Sequence, residues 1–128
     1  MTGAAVAVDR VSKNYDGRVA ALRDVSLRLA PGDFAALTGP SGSGKSTLLN
    51  LIGSLDRPDS GAISVDGQRL DRLPHPHRFR LDVVGFVFQF HHLLPMLTAR
   101  ENVEVPLIAA GMSAGARRAR AEDLLDEV

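Results

Sequence analysis

The chain has no cysteine. That excludes disulfides, thiolate metal sites and cysteine nucleophiles, and accords with a reducing compartment. It has no net charge either, with fifteen Lys and Arg against fifteen Asp and Glu, so composition gives no support for nucleic acid as a partner. The basic stretch between Arg69 and Arg80 and the run Arg117-Arg118-Ala119-Arg120 read as solvated faces. No apolar run approaches ~18 residues, and the first residues lack the basic-then-apolar pattern of a secretory signal. A membrane connection is therefore expected to come through a partner. Four histidines are present, but the adjacent pair His91 and His92 would face opposite ways in a strand and make no convincing zinc set with His75 and His77. What remains is a chain of 128 residues, 45% hydrophobic, long enough for one small domain with a core.

The most informative stretch is Gly39-Pro40-Ser41-Gly42-Ser43-Gly44-Lys45-Ser46, a full match to Gly-x-x-x-x-Gly-Lys-[Ser/Thr]. Before it, Phe34-Ala35-Ala36-Leu37-Thr38 is an apolar run suited to a buried strand. After it, Leu48, Leu51, Ile52 and Leu55 fall on one helical face. Strand, glycine loop and helix in that order are the context that gives the pattern its meaning. Glycines let backbone N–H groups turn inward around a phosphate, and the helix N-terminus adds a positive partial charge. Lys45 supplies a mobile ammonium for terminal phosphates, and the Ser46 hydroxyl is placed to ligate Mg²⁺. The plainer alternative is a glycine-rich turn before an amphipathic helix, with Lys45 solvated.

The first third reads as short alternating strands, through Val6 and Val8 and then Val25, Leu27 and Leu29. Pro31-Gly32 is a turn. Ile63 and Val65 form a strand closed by the hairpin signal Asp66-Gly67. From Leu70 to Pro76 a proline-punctuated connection is expected. Val83-Val84-Gly85-Phe86-Val87-Phe88 suits a fully buried parallel strand. Thr98-Ala99-Arg100-Glu101 has capping-box spacing, so a helix starts there and meets Pro106 as a kink or stop. Ser113 caps a last helix with Ala121, Leu124, Leu125 and Val128 on its apolar face. The layout is α/β. The chain stops inside that apolar face, so it looks cut.

These segments together resemble the nucleotide-binding subunit of ABC transporters, and most closely the group that drives lipoprotein release and macrolide export. The matching text is Tyr15-Asp16-Gly17, Leu22-Arg23-Asp24-Val25-Ser26-Leu27, the phosphate loop with Thr47-Leu48-Leu49, and Leu55-Asp56-Arg57-Pro58-Asp59-Ser60-Gly61. It continues through Phe86-Val87-Phe88-Gln89-Phe90, Leu93-Leu94-Pro95 and Glu101-Asn102-Val103. The resemblance implies one domain, residues 1–128 being the N-terminal portion of an ABC-type ATP-binding domain with a P-loop core and an N-terminal antiparallel β region. It implies ATP and Mg²⁺ as cofactors, held by Gly39, Pro40, Ser41, Gly42, Ser43, Gly44, Lys45, Ser46 and Thr47, with Ser46 and Gln89 serving the metal.

Tyr15, the only tyrosine, lies where the family stacks an aromatic ring on adenine; the alternative is a half-buried aromatic at a strand end. Gln89 falls at the Q-loop position, where an amide reaches a Mg²⁺-bound water when the loop closes, as part of the catalytic apparatus. The plainer alternative is a polar residue that terminates a strand. Phe90, Leu93, Leu94, Pro95 and Met96 lie where the family docks an integral-membrane permease subunit; the alternative is a small satellite core. A homodimer of ATP-binding subunits and a site at the inner face of the cell membrane follow from the same likeness.

The second half of the pattern is absent. No Leu-Ser-Gly-Gly-Gln signature occurs, no strand-length apolar run ends in Asp-Glu as the Walker B strand should, and the switch histidine would fall beyond residue 128. The resemblance places the Walker B strand and its successor between the two core strands expected at residues 34–38 and 83–88. Those strands would then lack a shared neighbour here. A nucleotide-binding or regulatory module without hydrolysis is the rival reading. A P-loop kinase is a third, and it would need a phosphoacceptor lid that the sequence does not show.

Overall fold

The computed structural model describes residues 3–17 and 19–128. They form two bodies, one up to Arg80 and the other Leu81–Val128.

In the first body, β1 (Val6–Tyr15) and β2 (Val19–Leu29) make an antiparallel pair, and β3 (Ser60–Val65) adds to the other side of β1. The two-residue β4 (Gln68–Arg69) turns back on β3 through Asp66-Gly67, giving the order β2-β1-β3-β4. Alternation decides which face is buried: Val8, Val11, Ile63 and Val65 are covered, while Asp9, Arg10 and Asn14 face water. Helix α1 (Lys45–Ile52) lies against β2 and β3 and adds Leu48 and Leu51 to that core. A single 3₁₀ turn, Leu70–Arg72, and helix α2 (Pro76–Asp82) follow, with Leu70, Leu73 and Phe79 buried.

The connection after Leu70 is thus more regular than its prolines imply. Pro76 opens α2, a first-turn position where its missing N–H costs nothing. Arg80 of α2 donates from Nη1 to the Ser54 carbonyl at 2.8 Å, satisfying an acceptor just beyond the end of α1.

Register shifts interrupt the β1–β2 ladder between Val8 and Val11 and the β1–β3 ladder between Asp9 and Ser12. Arg10 sits in the left-handed region there, and Gly61 passes beneath it. A Cβ on Gly61 would stand 2.3 Å from the Arg10 carbonyl oxygen, and at φ +84 the backbone also favours glycine.

In the second body, α3 (Ala99–Ala109) starts with a reciprocal capping box. The Thr98 N–H donates to Glu101 Oε2 at 2.8 Å, and the Glu101 N–H donates to Thr98 Oγ1 at 3.3 Å. Pro106 does not stop this helix, which continues to Ala109. Helix α4 (Ala114–Asp126) starts at Ser113, whose hydroxyl accepts from the Ala116 N–H at 3.4 Å, and it packs on α3. Glu104 of α3 pairs with Arg100 and lies 4.0 Å from Arg117. Arg117 also donates to the Met112 carbonyl at 2.7 Å, so part of that basic run is structural rather than solvated. Ala121 is fully buried and Leu124 and Leu125 are half-buried; Val128 lies past the helix end, exposed, and does not extend its apolar face.

Two expected strands are not formed. Residues 34–38 and 83–88 are neither helix nor strand, and Phe34 and Val87 are fully exposed. A strand exists only as one rail of a hydrogen-bonded ladder, and no strand among the described residues lies beside either segment. In the second segment Phe86 and Phe88 stack on each other instead, with ring centroids 5.3 Å apart.

Candidate nucleotide-binding site

The first turn of α1 is built for an anion. Gly44 caps the helix in the left-handed conformation at φ +88. A Cβ there would meet the Ala21 carbonyl oxygen of β2 at 2.3 Å, so the loop approaches the sheet more closely than any side chain allows. No side chain caps α1, and its first turn carries no acidic residue. The N–H groups that open every helix are thus left facing the loop, with the positive end of the helix dipole behind them.

Lys45 closes the loop on itself. Its ammonium donates to the Gly39 carbonyl at 2.8 Å, to the Pro40 carbonyl at 2.7 Å and to Ser43 Oγ at 3.3 Å. Three contacts match its three donors, and they hold the turn open around its own centre. Gly39 and Pro40 themselves face an apolar cavity of about 290 Å³ shared with Leu22, Val25, Leu37 and Leu48.

An open cleft of about 590 Å³ lies over the helix start, lined by Tyr15, Ala21 and residues 41–47. The structure thus brings together Tyr15, Ser41, Gly42, Ser43, Gly44, Lys45, Ser46 and Thr47, although Tyr15 is far from them in sequence. Gln89 belongs to the second body, on an exposed bend.

Tyr15, at the end of β1, is 39% exposed and held by residues that sequence reasoning passed over. Its hydroxyl donates to Asp56 Oδ2 at 3.0 Å. Lys13, two residues earlier on the same face of β1, donates to Asp56 Oδ1 at 2.9 Å and to the Arg57 carbonyl at 2.7 Å. Its Nζ lies 5.3 Å from the Tyr15 ring centroid. The hydrogen bond to Asp56 holds the Lys13 ammonium above its ordinary pKa against an opposing penalty of burial. Asp56 is held below the ordinary carboxylate value, first by Lys13, with burial opposing and the Arg57 N–H and Tyr15 hydroxyl adding to the effect. The signal available in sequence was one basic residue at alternate spacing before the only tyrosine. Its partner lies 43 positions away.

Residues 90–96 form the other predicted functional segment. Phe90, Leu93, Leu94 and Met96 are exposed rather than packed in a satellite core. Asn102 of α3 shapes this loop. Its Nδ2 donates to the Leu97 carbonyl at 3.1 Å and the Thr98 carbonyl at 3.0 Å, while its Oδ1 accepts from the Leu94 N–H at 2.8 Å.

A helix N-terminus with no side-chain cap behind a glycine loop, a lysine spanning that loop and an antiparallel sheet on its flank define a P-loop nucleotide-binding core of α/β class. The family described as ABC transporter matches residues 22–128, and this chain belongs to it. The lipoprotein-releasing system ATP-binding protein LolD 2 of Caulobacter vibrioides is 46% identical over 123 residues, covering 94% of this chain and 54% of that protein. The macrolide export ATP-binding/permease protein MacB of Marinobacter nauticus is 50% identical over 109 residues, covering 84% of this chain and 17% of that one. Among solved structures, the dimeric post-hydrolysis state of the ATP-binding cassette MJ0796 bound to ADP and Pi has a TM-score of 0.84 at 43% identity, covering 94% of this chain and 56% of that chain. The chain spans about half the length of the LolD relatives it matches.

Proposed function

We propose that this chain is the nucleotide-binding portion of an ATP-binding subunit that couples ATP binding and hydrolysis to transport through an integral-membrane partner. The observation that carries this reading is the cleft over α1, where Lys45 and the open first turn face the same space as the Tyr15 ring. Both ends of a nucleoside triphosphate are provided for: donors and a cation for the phosphates, and a flat ring for the base. Residues 39–47 would hold the phosphates, Tyr15 would stack on the base, and the Ser46 hydroxyl would ligate Mg²⁺. The family likeness supports Gln89 as a further residue for that metal. Mg²⁺, when bound, neutralises charge on the terminal phosphates.

The likeness to LolD and MacB proteins and to a dimeric cassette supports a permease partner, dimerisation of ATP-binding subunits and a place at the inner face of the cell membrane. Among the described residues no helix is long and apolar enough to cross a membrane. The exposed residues 90–96 are the surface we assign to that permease.

Titration with a fluorescent ATP analogue in magnesium buffer tests the central reading. Lys45→Ala removes the cation facing the terminal phosphates, a charged-group loss worth about 1.5–3 kcal/mol. Equal affinity for both proteins would sink the assignment.

A further inference from the structure

Tyr15 reaches the cleft from a strand end, with Lys13 of the same strand beside its ring. Its hydroxyl is held from across the fold. Asp56, in the connection between α1 and β3, accepts the Tyr15 hydroxyl at 3.0 Å, and the Arg57 N–H and Lys13 Nζ donate to its other oxygen at 2.7 and 2.9 Å. Lys13 is in turn buried, bound to the Arg57 carbonyl at 2.7 Å, and 3.9 Å from Asp59. Asp59 accepts the backbone N–H of Asn14, between Lys13 and Tyr15, at 2.7 Å. The segment that follows α1 therefore grips the end of β1 at three successive residues. An aromatic ring turns about two side-chain torsions; tying its hydroxyl to a carboxylate that is itself tied down removes that freedom. Lys13 stands against the ring while the ring remains 39% exposed and lines the cleft.

We propose that Asp56 and Lys13 are positioning residues for nucleobase recognition, holding the Tyr15 ring at the angle that an adenine stacked above the phosphate loop requires. This rests on the stacking reading of Tyr15 and deepens it. Neither residue touches the nucleotide; both act through the ring. Because they leave the phosphate loop alone, their loss affects affinity for the base and spares affinity for phosphate.

The test compares the Kd of ATP with that of inorganic triphosphate, by calorimetry in magnesium buffer, on the 128-residue chain and its variants. Tyr15→Ala should weaken ATP about fivefold and leave triphosphate unchanged. Tyr15→Phe keeps the stacking ring and the Lys13–Asp56 pair, losing only the tether, and should weaken ATP about threefold with triphosphate again unchanged. Asp56→Ala should behave as Tyr15→Phe does, and the double variant should be no worse than the more damaging single one. Asp56→Asn, which can still accept the hydroxyl, should restore most of the loss. Should Asp56→Ala fail to fold because Lys13 is left unpaired, Tyr15→Phe still decides the question. If Tyr15→Ala loses ATP affinity while Tyr15→Phe binds like wild type, stacking stands and positioning falls. If Tyr15→Ala has no base-dependent effect, both fall. Additive losses in the double variant would also overturn the proposal.

Discussion

Residues 60–65 and 34–38 are both short segments that carry apolar side chains beside turn residues, the first by alternation and the second nearly throughout, yet only the first is a strand. Ser60–Val65 lies along β1, with Ala7 opposite Ser64 and Val8 opposite Ile63, and Ile63 is 2% exposed. Among the described residues the second segment has no strand beside it, and Phe34 is bare. Hydrophobicity marks both as wanting cover; hydrogen-bonding neighbours decide which one gets it. A buried backbone without a ladder would leave N–H and C=O groups unpaired, and that cost exceeds the gain from burying a few side chains.

Catalysis should show the largest contrast between the paired and unpaired regions. The phosphate loop is assembled beside β2, while among the described residues no strand pairs with 34–38 and no acidic residue lines the cleft. ATP should therefore bind to the 128-residue chain without being turned over. Without an acidic side chain in the cleft to activate water, the barrier should stay several kcal/mol higher and turnover near background. A phosphate-release assay with Lys45→Ala as the control decides it, and robust Lys45-dependent release would reveal a catalytic base within these residues.

Stability gives the next largest contrast. Ile63→Ala should cost about 2–5 kcal/mol in urea unfolding, because it empties a site packed by β1 and β3. Phe34→Ser should change stability by less than about 0.5 kcal/mol. Similar losses for the two would mean that residues 34–38 are covered in solution.

A smaller effect concerns acid. Asp56 has its folded pKa below the ordinary 3.8, so its contribution to stability is present above that value and is lost as the pH falls through the lower folded one. Lys13 has the opposite sense: raised above 10.5, it contributes below that pH and its share is lost as the pH rises through the folded value. Melting temperatures between pH 2 and 5 should fall less steeply for Asp56→Asn than for wild type. Parallel slopes would show that the pair is not maintained in solution.

The smallest expected change is in Leu94→Glu. At 49% exposure Leu94 contributes little to packing, so the melting point should hold. Binding to a co-expressed permease subunit should nevertheless be lost, because a carboxylate would enter an apolar contact. Retained binding would place the permease elsewhere.

Local chemistry was legible in the sequence. The capping box at Thr98 and Glu101 and the hairpin at Asp66-Gly67 each depend on residues within a few positions, so a short window contains the whole cause. The phosphate loop reads for the same reason. The tether on Tyr15 does not, because its partners are separated by 41 residues and neither Asp56 nor Lys13 carries a mark of its own. The left-handed residues at Arg10, Asp24 and Ser54 are equally invisible, being imposed by strand register and helix ending rather than by side-chain type.

Gly61 has a further consequence for anyone reading variation in this chain. Suppose a library were selected only for folding, with no nucleotide supplied and no transport required. Gly61 would survive that selection unaltered, since every other residue drives a carbon into the Arg10 carbonyl. Ser41, exposed on the cleft and free of such a clash, would drift. Repeating the selection with ATP-dependent growth would freeze Ser41 and leave the Gly61 distribution as it was. Invariance at Gly61 would thus record how two strands pass each other, and a survey that scored it as a ligand position would be misled by geometry.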